Sequence, residues 1–127
     1  MLLAFLVPET TVREDGSGPI LDLGSSQGKS LTLTLGITRI VEQESLDLSI
    51  WGSSDQENWG ARPLAAFPQK FYCGVYQMPL NLAAQPDLRY LKAQWKVNRW
   101  GRGAPAPLFS FYVFAEEAGH EALAKSA

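Results

Sequence analysis

The sequence predicts an all-β protein, a two-sheet antiparallel β-sandwich of the jelly-roll type with about eight strands. Short runs of alternating apolar and polar residues recur along the chain, and groups of glycine, proline and polar turn residues separate them. No stretch before the C-terminal segment shows apolar residues at helical spacing. Because parallel strands need long and usually helical crossovers, these strands are expected to pair antiparallel. Eight short antiparallel strands in two sheets are typical of a jelly roll.

The composition describes one ordinary globular domain. A chain of 127 residues with 46% hydrophobic residues can bury a core without disulfides or a structural metal. Its 11 basic and 13 acidic residues give a net charge of −2, which provides no general attraction to nucleic acid or membranes. The apolar start ends at Pro8, too short to span a bilayer, and lacks the basic flank and cleavage site of a signal peptide. We therefore expect a cytoplasmic or otherwise intracellular protein.

The strands of the first half follow from their patterns. Leu2–Val7 is apolar at every position, which predicts a strand covered on both faces or lying in a subunit contact. Residues Pro8–Pro19 are predicted to form a loop, and Ile20–Leu23 a short strand. Leu31–Ile37 alternates most regularly, and the apolar phase then slips by one residue toward Ile40. Such a slip indicates a β-bulge or a bend.

The stretch from Leu46 to Trp59 is expected to organise the sandwich. Its first part alternates as a half-buried strand and places Asp47 and Ser49 on the polar face. Its second part, from Gly52 onward, contains the serine, aspartate and asparagine residues of a turn. Trp59 is expected to point back toward the core.

The second half adds three or four strands. Pro63–Phe67 is predicted as a short irregular strand, and Phe71–Met78 as a strand that Pro79 ends. Leu91–Val97 has one apolar and one polar face, and Leu108–Phe114 is apolar on both. The predicted domain is therefore residues 1–115, with 116–127 a loosely ordered tail. The predicted core contains Leu31, Leu33, Leu35, Leu46, Leu48, Ile50, Leu91, Trp95, Val97, Phe109 and Phe111.

An alternating strand, a Gly-Ser-x-Asp-x-x-x-Trp turn and a later Leu-Arg-Tyr-Leu strand follow one another in this chain. The matching residues are Leu46–Ile50, Gly52 with Ser53, Asp55, Trp59 and Asp87–Leu91. This order resembles small galactose-binding-like, discoidin-type jelly-roll domains, a plan also found in modules of phage and bacterial structural proteins. The resemblance covers about half of the chain and implies a binding or assembly module. The paired cysteines of secreted discoidin domains are absent, and no ligand-binding loop residue of the family is matched.

Residues for catalysis are few. The only histidine, His120, lies in the predicted tail. The only cysteine, Cys73, is predicted to lie in an apolar strand as an inert buried thiol. Carboxylates such as Glu42 and Asp47 could in principle form a glycosidase pair, but they fall in turns or on a polar strand face, where solvated charge is expected. We therefore expect a protein that is not an enzyme and needs no cofactor.

The sequence also suggests a calcium site and a nucleic-acid surface, and each has a simpler interpretation. Asp55, Glu57 and Asn58 offer the oxygen ligands that calcium prefers, although such residues in a turn usually cap their own backbone. A basic group with interleaved aromatics suggests nucleic-acid binding, but its alternation assigns Trp95 to the core and the lysines to an ordinary polar face. No nucleic-acid or membrane partner is expected. The basic group comprises Arg89, Lys92, Lys96, Arg99 and Arg102.

Two tryptophans do not fit the apolar register. Trp51 falls on the polar face of its strand, and Trp100 lies in a glycine-flanked loop with Arg99 and Arg102. Exposed aromatic rings beside polar donors are what a carbohydrate ligand would need, which predicts a carbohydrate-binding site at these four residues. The simpler interpretation, which the sequence favours, is that both rings cover the open ends of the sandwich, since exposed tryptophans are costly without a partner.

Self-association is the functional hypothesis favoured by the terminal strands. Leu3, Phe5 and Val7 would share one face of the first strand, and its opposite face is apolar as well. The last predicted strand, Leu108–Phe114, repeats this situation. A strand of a two-layer sandwich has one core face, so the second apolar face needs another cover. We therefore expect a structural module that forms homo-oligomers through Leu2–Val7 and Leu108–Phe114 or attaches to a larger structure.

Overall fold

The fold is taken from a computed structural model that describes residues 2–40, 44–70, 72–99 and 108–118, with Glu44 and Arg99 described by their backbone alone. The described residues form nine strands and one 3₁₀ turn, Gly24–Ser26. The strands are β1 (Leu3–Val12), β2 (Gly16–Ser17), β3 (Leu21–Asp22), β4 (Ser30–Ile40), β5 (Glu44–Ser53), β6 (Ala65–Ala66), β7 (Gly74–Asn81), β8 (Tyr90–Arg99) and β9 (Phe109–Glu117).

The strands form two antiparallel sheets packed face to face. The first sheet has the order β1-β9-β4-β7, and the second has the order β2-β8-β5-β6, with β3 also pairing with β8. The chain changes sheet at almost every connection between long strands. This order is that of a jelly roll in which two short strands, β2 and β3, occupy one edge position. The predicted two-sheet sandwich is confirmed.

The core lies between the sheets and follows the predicted alternation. Ten of the predicted core residues are buried, while Val97 near the end of β8 is only partly buried. Trp95 of the second sheet packs edge-on against Phe111 of the first, with ring centroids 5.3 Å apart. The Trp95 Nε1–H donates to the Glu14 carbonyl oxygen at 3.2 Å, so its polar atom is satisfied as well.

The N-terminal strand differs from its predicted form. Where the sequence predicts a loop from Pro8, β1 continues to Val12 and β2 follows almost at once. The pairing of β1 with β9 shifts register between Phe5 and Val7 and again between Val7 and Thr10. Each irregularity changes the phase of the side chains, so Leu6 and Val7 are both buried. The prediction that Val7 shares a face with Leu3 and Phe5 is therefore wrong.

Two predictions for β7 are also wrong. Cys73 precedes the strand and is exposed, because the chain enters the sheet only at Gly74. Pro79 lies inside the strand, opposite Thr32 of β4. A proline is tolerated there because β7 is an edge strand with one unpaired side.

Other boundaries are closer to expectation. The predicted bulge after Ile37 is confirmed, since the β4–β9 register shifts between Ile37 and Arg39. Strand β9 extends to Glu117, slightly past the predicted domain boundary, and residues 119–127 of the predicted tail lie outside the described residues. Trp59 is only partly buried in the connection after β5 and packs against a lysine rather than joining the core.

Candidate functional site

The outer face of the second sheet holds the polar rows of β5 and β8. Because Leu46, Leu48 and Ile50 point into the core, the residues between them point outward. Each outward residue of β5 lies opposite an outward residue of β8. The three pairs along this face are Asp47 with Lys96, Ser49 with Gln94, and Trp51 with Lys92.

Trp51 is held against this face by its own strand. Its indole Nε1–H donates to the Ser49 Oγ, two residues earlier on the same face, at 2.9 Å. This bond keeps the ring lying along β5 instead of extending into solvent. The side chain is partly buried. Trp51 therefore lies on the outside of the second sheet, rather than over an open end of the core.

A cleft of ≈780 Å³ runs across this outer face and includes Trp51. Residues Asp15 to Ser17, at and just before β2, form one wall, and Pro63 to Phe67 form the other. The pairs of β5 and β8 form the floor. The polar residues that line the cleft are Asp15, Ser17, Asp47, Ser49, Gln94 and Lys96.

The backbone edges beside the cleft are already paired. On one side the Gly18 amide donates to the Ala93 carbonyl at 2.8 Å. On the other, the Leu64 and Phe67 amides donate to carbonyls of β5 at 2.8 and 3.0 Å. A ligand on the floor of this cleft would therefore meet side chains and not the backbone edges of β5 and β8.

The other residues of the predicted carbohydrate site are placed differently. Trp100 and Arg102 lie outside the described residues, and the Arg99 side chain does so too. The Arg99 backbone pairs with Glu44 at the end of β8, seven residues from Lys92, the partner of Trp51. At about 3.3 Å per strand residue, this separation is about 23 Å. Arg99 and Trp51 thus stand at opposite ends of the sheet.

In the turn that contains the candidate calcium ligands Asp55, Glu57 and Asn58, side-chain oxygens accept hydrogen bonds from groups of the same turn. The Asp55 Oδ1 accepts the Glu57 and Asn58 amides, both at 2.9 Å, and the Ser53 hydroxyl at 2.9 Å. These bonds, the Asn58 amide first, lower the pKa of the Asp55 carboxyl below its ordinary value. The Asn58 Oδ1 accepts the Gly60 amide in the same way. In the described part of the chain, no three His, Cys, Asp or Glu residues form a group suited to a metal ion.

Two of the basic residues, Arg89 just before β8 and Lys92 within it, make contacts inside the molecule. Arg89 forms two hydrogen bonds of 3.2 Å with the Asp22 carboxylate, which lowers the pKa of Asp22. The Lys92 ammonium lies 4.3 Å from the centre of the Trp59 ring. Trp95 is buried, as the alternation predicts. The arrangement is that of an ordinary polar sheet face and not of a row of free phosphate contacts.

The outer face of the first sheet has the opposite character. There β1 and β9 are neighbours, and Phe5 lies directly opposite Phe114. The Phe5 ring packs edge-on against both Phe114 and Tyr112, with centroids 5.1 and 5.9 Å apart. Exposed fractions are 58% for Leu3, 51% for Phe5 and 66% for Val75 of β7. We call these five residues the aromatic patch.

Gly36 of β4 connects the two sides of the patch. It lies between Tyr112 and Val75 in one row across the sheet, and any β-carbon at Gly36 would overlap the Tyr112 ring. The missing side chain thus lets that ring lie flat on the sheet. Beside it, Phe5, Tyr112 and Phe114 border a shallow hollow of ≈490 Å³ together with Glu9 and Thr34.

Charge is nearly absent from the middle of this face. Glu9 borders the hollow. Glu116 lies in a row between Leu3 and Thr32 toward one end of the face, and Arg39 lies opposite Ser110 toward the other. Sequence reasoning identified the two apolar terminal strands but could not show that they are adjacent, because their pairing joins the two ends of the chain. The outward residues of β4, β7 and β9 between the Glu116 row and the Arg39 row are Thr34, Gly36, Val75, Gln77, Tyr112 and Phe114.

No protein-family model matches this chain, and a search of curated proteins gave no match either. In the described ranges, no helix has the length and apolar character needed to cross a membrane.

Proposed function

We propose that this chain is a non-catalytic jelly-roll module that assembles with a second copy of itself through the aromatic patch. The observation that supports this best is the exposure of Leu3 and Phe5 beside Tyr112 and Phe114 on one sheet face. Monomeric proteins seldom expose contiguous apolar patches of more than a few hundred Å². The jelly-roll order also supports the resemblance to galactose-binding-like domains, and membership of that group is part of the proposal.

A second copy fits this face better than a different partner. In the rows between Glu116 and Arg39, β4, β7 and β9 have no charged side chain that would select a partner of opposite charge. Aromatic enrichment with charge depletion is typical of the centre of an interface. The exposed Phe5 protrudes beside the hollow that it borders with Tyr112, so the face offers both a projection and a recess. A twofold axis brings such features of two copies together.

Two of the carboxylates on which an enzyme hypothesis would rest, Asp55 and Asp47, have structural partners, and Glu42 lies outside the described residues. Asp55 is the acceptor that closes its own turn. The Asp47 Oδ2 accepts a hydrogen bond from the Gln69 amide at 3.1 Å. These contacts support a module without catalytic activity. Intracellular location stays a prediction from the sequence.

Sedimentation equilibrium tests the proposal. The unaltered chain is expected to be a dimer, or a higher symmetric oligomer, at about 100 μM, which corresponds to micromolar or tighter association. Phe5→Asp and Tyr112→Asp, made separately, should each give a monomer, because each places an unpaired charge in the buried interface. Ile20→Asp is the matched control, since Ile20 is 46% exposed and precedes β3 of the other sheet.

A monomer of the unaltered chain at this concentration contradicts the proposal. So does an oligomer that both Phe5→Asp and Tyr112→Asp leave intact while their circular dichroism matches that of the unaltered chain. An oligomer lost only with Ile20→Asp would assign the contact to the second sheet instead.

A further inference from the structure

We propose that the cleft on the outer face of the second sheet binds a neutral oligosaccharide, with a sugar ring stacked on Trp51. This inference concerns the face opposite the aromatic patch and does not depend on self-association. Its first basis is the Trp51 indole, which the 2.9 Å bond to Ser49 holds along the strand. A ring held in place beforehand loses little conformational freedom when a ligand stacks on it.

The second basis is the set of polar groups around that ring. Within the described part of the chain, the side chains of Ser17, Gln94 and Lys96 make no hydrogen bond or ion pair, yet all three line the cleft. Ser17 and Gln94 are cross-strand neighbours, and Gln94 is also opposite Ser49. An amide and a hydroxyl both donate and accept hydrogen bonds, which matches the dual character of sugar hydroxyls.

The charges of the cleft favour a neutral ligand. Asp47 and Lys96 face each other across β5 and β8, and Asp15 stands on the wall. The Asp15 Oδ1 already accepts the Val97 amide at 2.8 Å, and Asp47 accepts from Gln69. A polyanion would meet these two carboxylates, and a polycation would meet Lys96. Hydroxyl groups can accept from the ammonium and donate to the carboxylates, so a neutral sugar uses both.

The size and walls of the cleft favour a sugar over an extended peptide as its ligand. Its volume of ≈780 Å³ lies within the usual range for small-ligand sites, about 300–1,000 Å³. The strand edges on both sides are paired by the Gly18, Leu64 and Phe67 amides. An extended peptide therefore cannot add as a strand to β5 or β8 on the floor of the cleft. A saccharide needs only the Trp51 ring for stacking and the side chains that line the cleft for hydrogen bonds.

Isothermal titration calorimetry tests this with cellohexaose, xylohexaose, mannohexaose and a galactan-derived oligosaccharide, preceded by a neutral glycan array. At least one neutral glycan is expected to bind. Trp51→Ala should weaken that binding at least tenfold, because the stacking surface is lost. Gln94→Ala should weaken it severalfold, because the central amide is lost. The matched control is Gln77→Ala, an exposed glutamine on the outer face of the other sheet, which should bind as the unaltered chain does.

The unfolding midpoint of each variant is measured alongside, so that loss of fold is distinguished from loss of a contact. Gln94→Ala, an outward residue of a paired strand, keeps the test valid if Trp51→Ala does not fold. Absence of binding to every glycan in the array and the panel overturns the proposal. So does binding that neither Trp51→Ala nor Gln94→Ala weakens, or preferential binding of extended peptides at the cleft.

Discussion

At the scale of single residues, Trp95 joins β8 both to the opposite sheet and to the chain around β2. Its ring reaches Phe111 of the opposite sheet, its Nε1–H reaches Glu14, and Gly16 lies against the ring so closely that a β-carbon there would be 3.2 Å from Nε1. Trp95→Ala is expected to lower the free energy of unfolding by about 3–5 kcal/mol, as for other large aromatic residues removed from packed interiors. Urea unfolding measures this loss. A value under about 1 kcal/mol would contradict the register of β8.

Asp55 gives a prediction about pH. The amides of Asn58 and Glu57 lower the pKa of its carboxyl from the ordinary 3.8. The unfolded chain therefore binds this proton at a higher pH than the folded chain, and the stabilisation is present above 3.8 and lost as the pH falls through the folded value. Asp55→Asn should be less stable than the unaltered chain at neutral pH, and the difference should shrink toward about pH 3.

Urea midpoints at the two pH values check this, and a carboxyl NMR titration locates the pKa of Asp55 directly. Asp22→Asn is a second test of the same linkage: Arg89 lowers the pKa of Asp22, so its stability difference should shrink in the same direction as the pH falls. A stability difference between Asp55→Asn and the unaltered chain that stays constant with pH would contradict the assigned bonds.

At the scale of elements, the register shifts of β1 decide which residues enter the core. Leu6 is fully buried, whereas its neighbour Phe5 is 51% exposed. Leu6→Ala should lower the free energy of unfolding by about 2–5 kcal/mol, because a cavity forms in the core. Measured at concentrations at which the chain is monomeric, Phe5→Ala should cost at most about 1.5 kcal/mol, the value of a surface aromatic contact. Equal losses, or a larger loss for Phe5, would show that β1 pairs without these shifts.

The same strand shows where sequence reasoning reaches its limit. Strict alternation identified the core rows of β4, β5 and β8, since those strands pair without a shift along most of their length and burial repeats every second residue. In β1 the phase depends on the partner β9, more than 90 residues away, and local patterns contain no information on it. Pro8 was taken as the end of a strand for the same reason, because only the sheet order shows that β1 is an edge.

The candidate site was predictable to a similar degree. The position of Trp51 on the polar face followed from its place in β5, and the structure places it there. Ser17 and Gln94 could not be grouped with it, because the walls of the cleft come from distant segments that only the folded sheet brings together. Cys73 was expected to be buried because its neighbours in the sequence are apolar, but it precedes β7 and is exposed.

At the scale of the whole molecule, the jelly-roll topology makes folding of the first sheet depend on the last strand, β9. Strand β9 lies between β1 and β4 in the first sheet, so without it β1 loses its partner in that sheet and β4 is left with β7 alone. Its inward residues, Phe109, Phe111, Val113 and Ala115, are all fully buried. Most long-range pairing in that sheet therefore depends on the final segment of the chain, and folding of such non-local topologies is slow, about milliseconds to seconds.

Truncation tests this dependence on β9. A chain ending at Pro107 should show no cooperative urea transition and no dispersed amide NMR spectrum, because the first sheet loses a central strand and the core loses two phenylalanines. A chain ending at Ala118 should unfold with a midpoint close to that of the full chain, since the Ala- and Glu-rich segment after it is predicted as a loose tail. A folded product that ends at Pro107 would contradict the central place of β9. A large loss of stability on ending at Ala118 would instead show that the terminal segment packs on the sandwich, and the expected cover for the aromatic patch would then have to be sought within the chain.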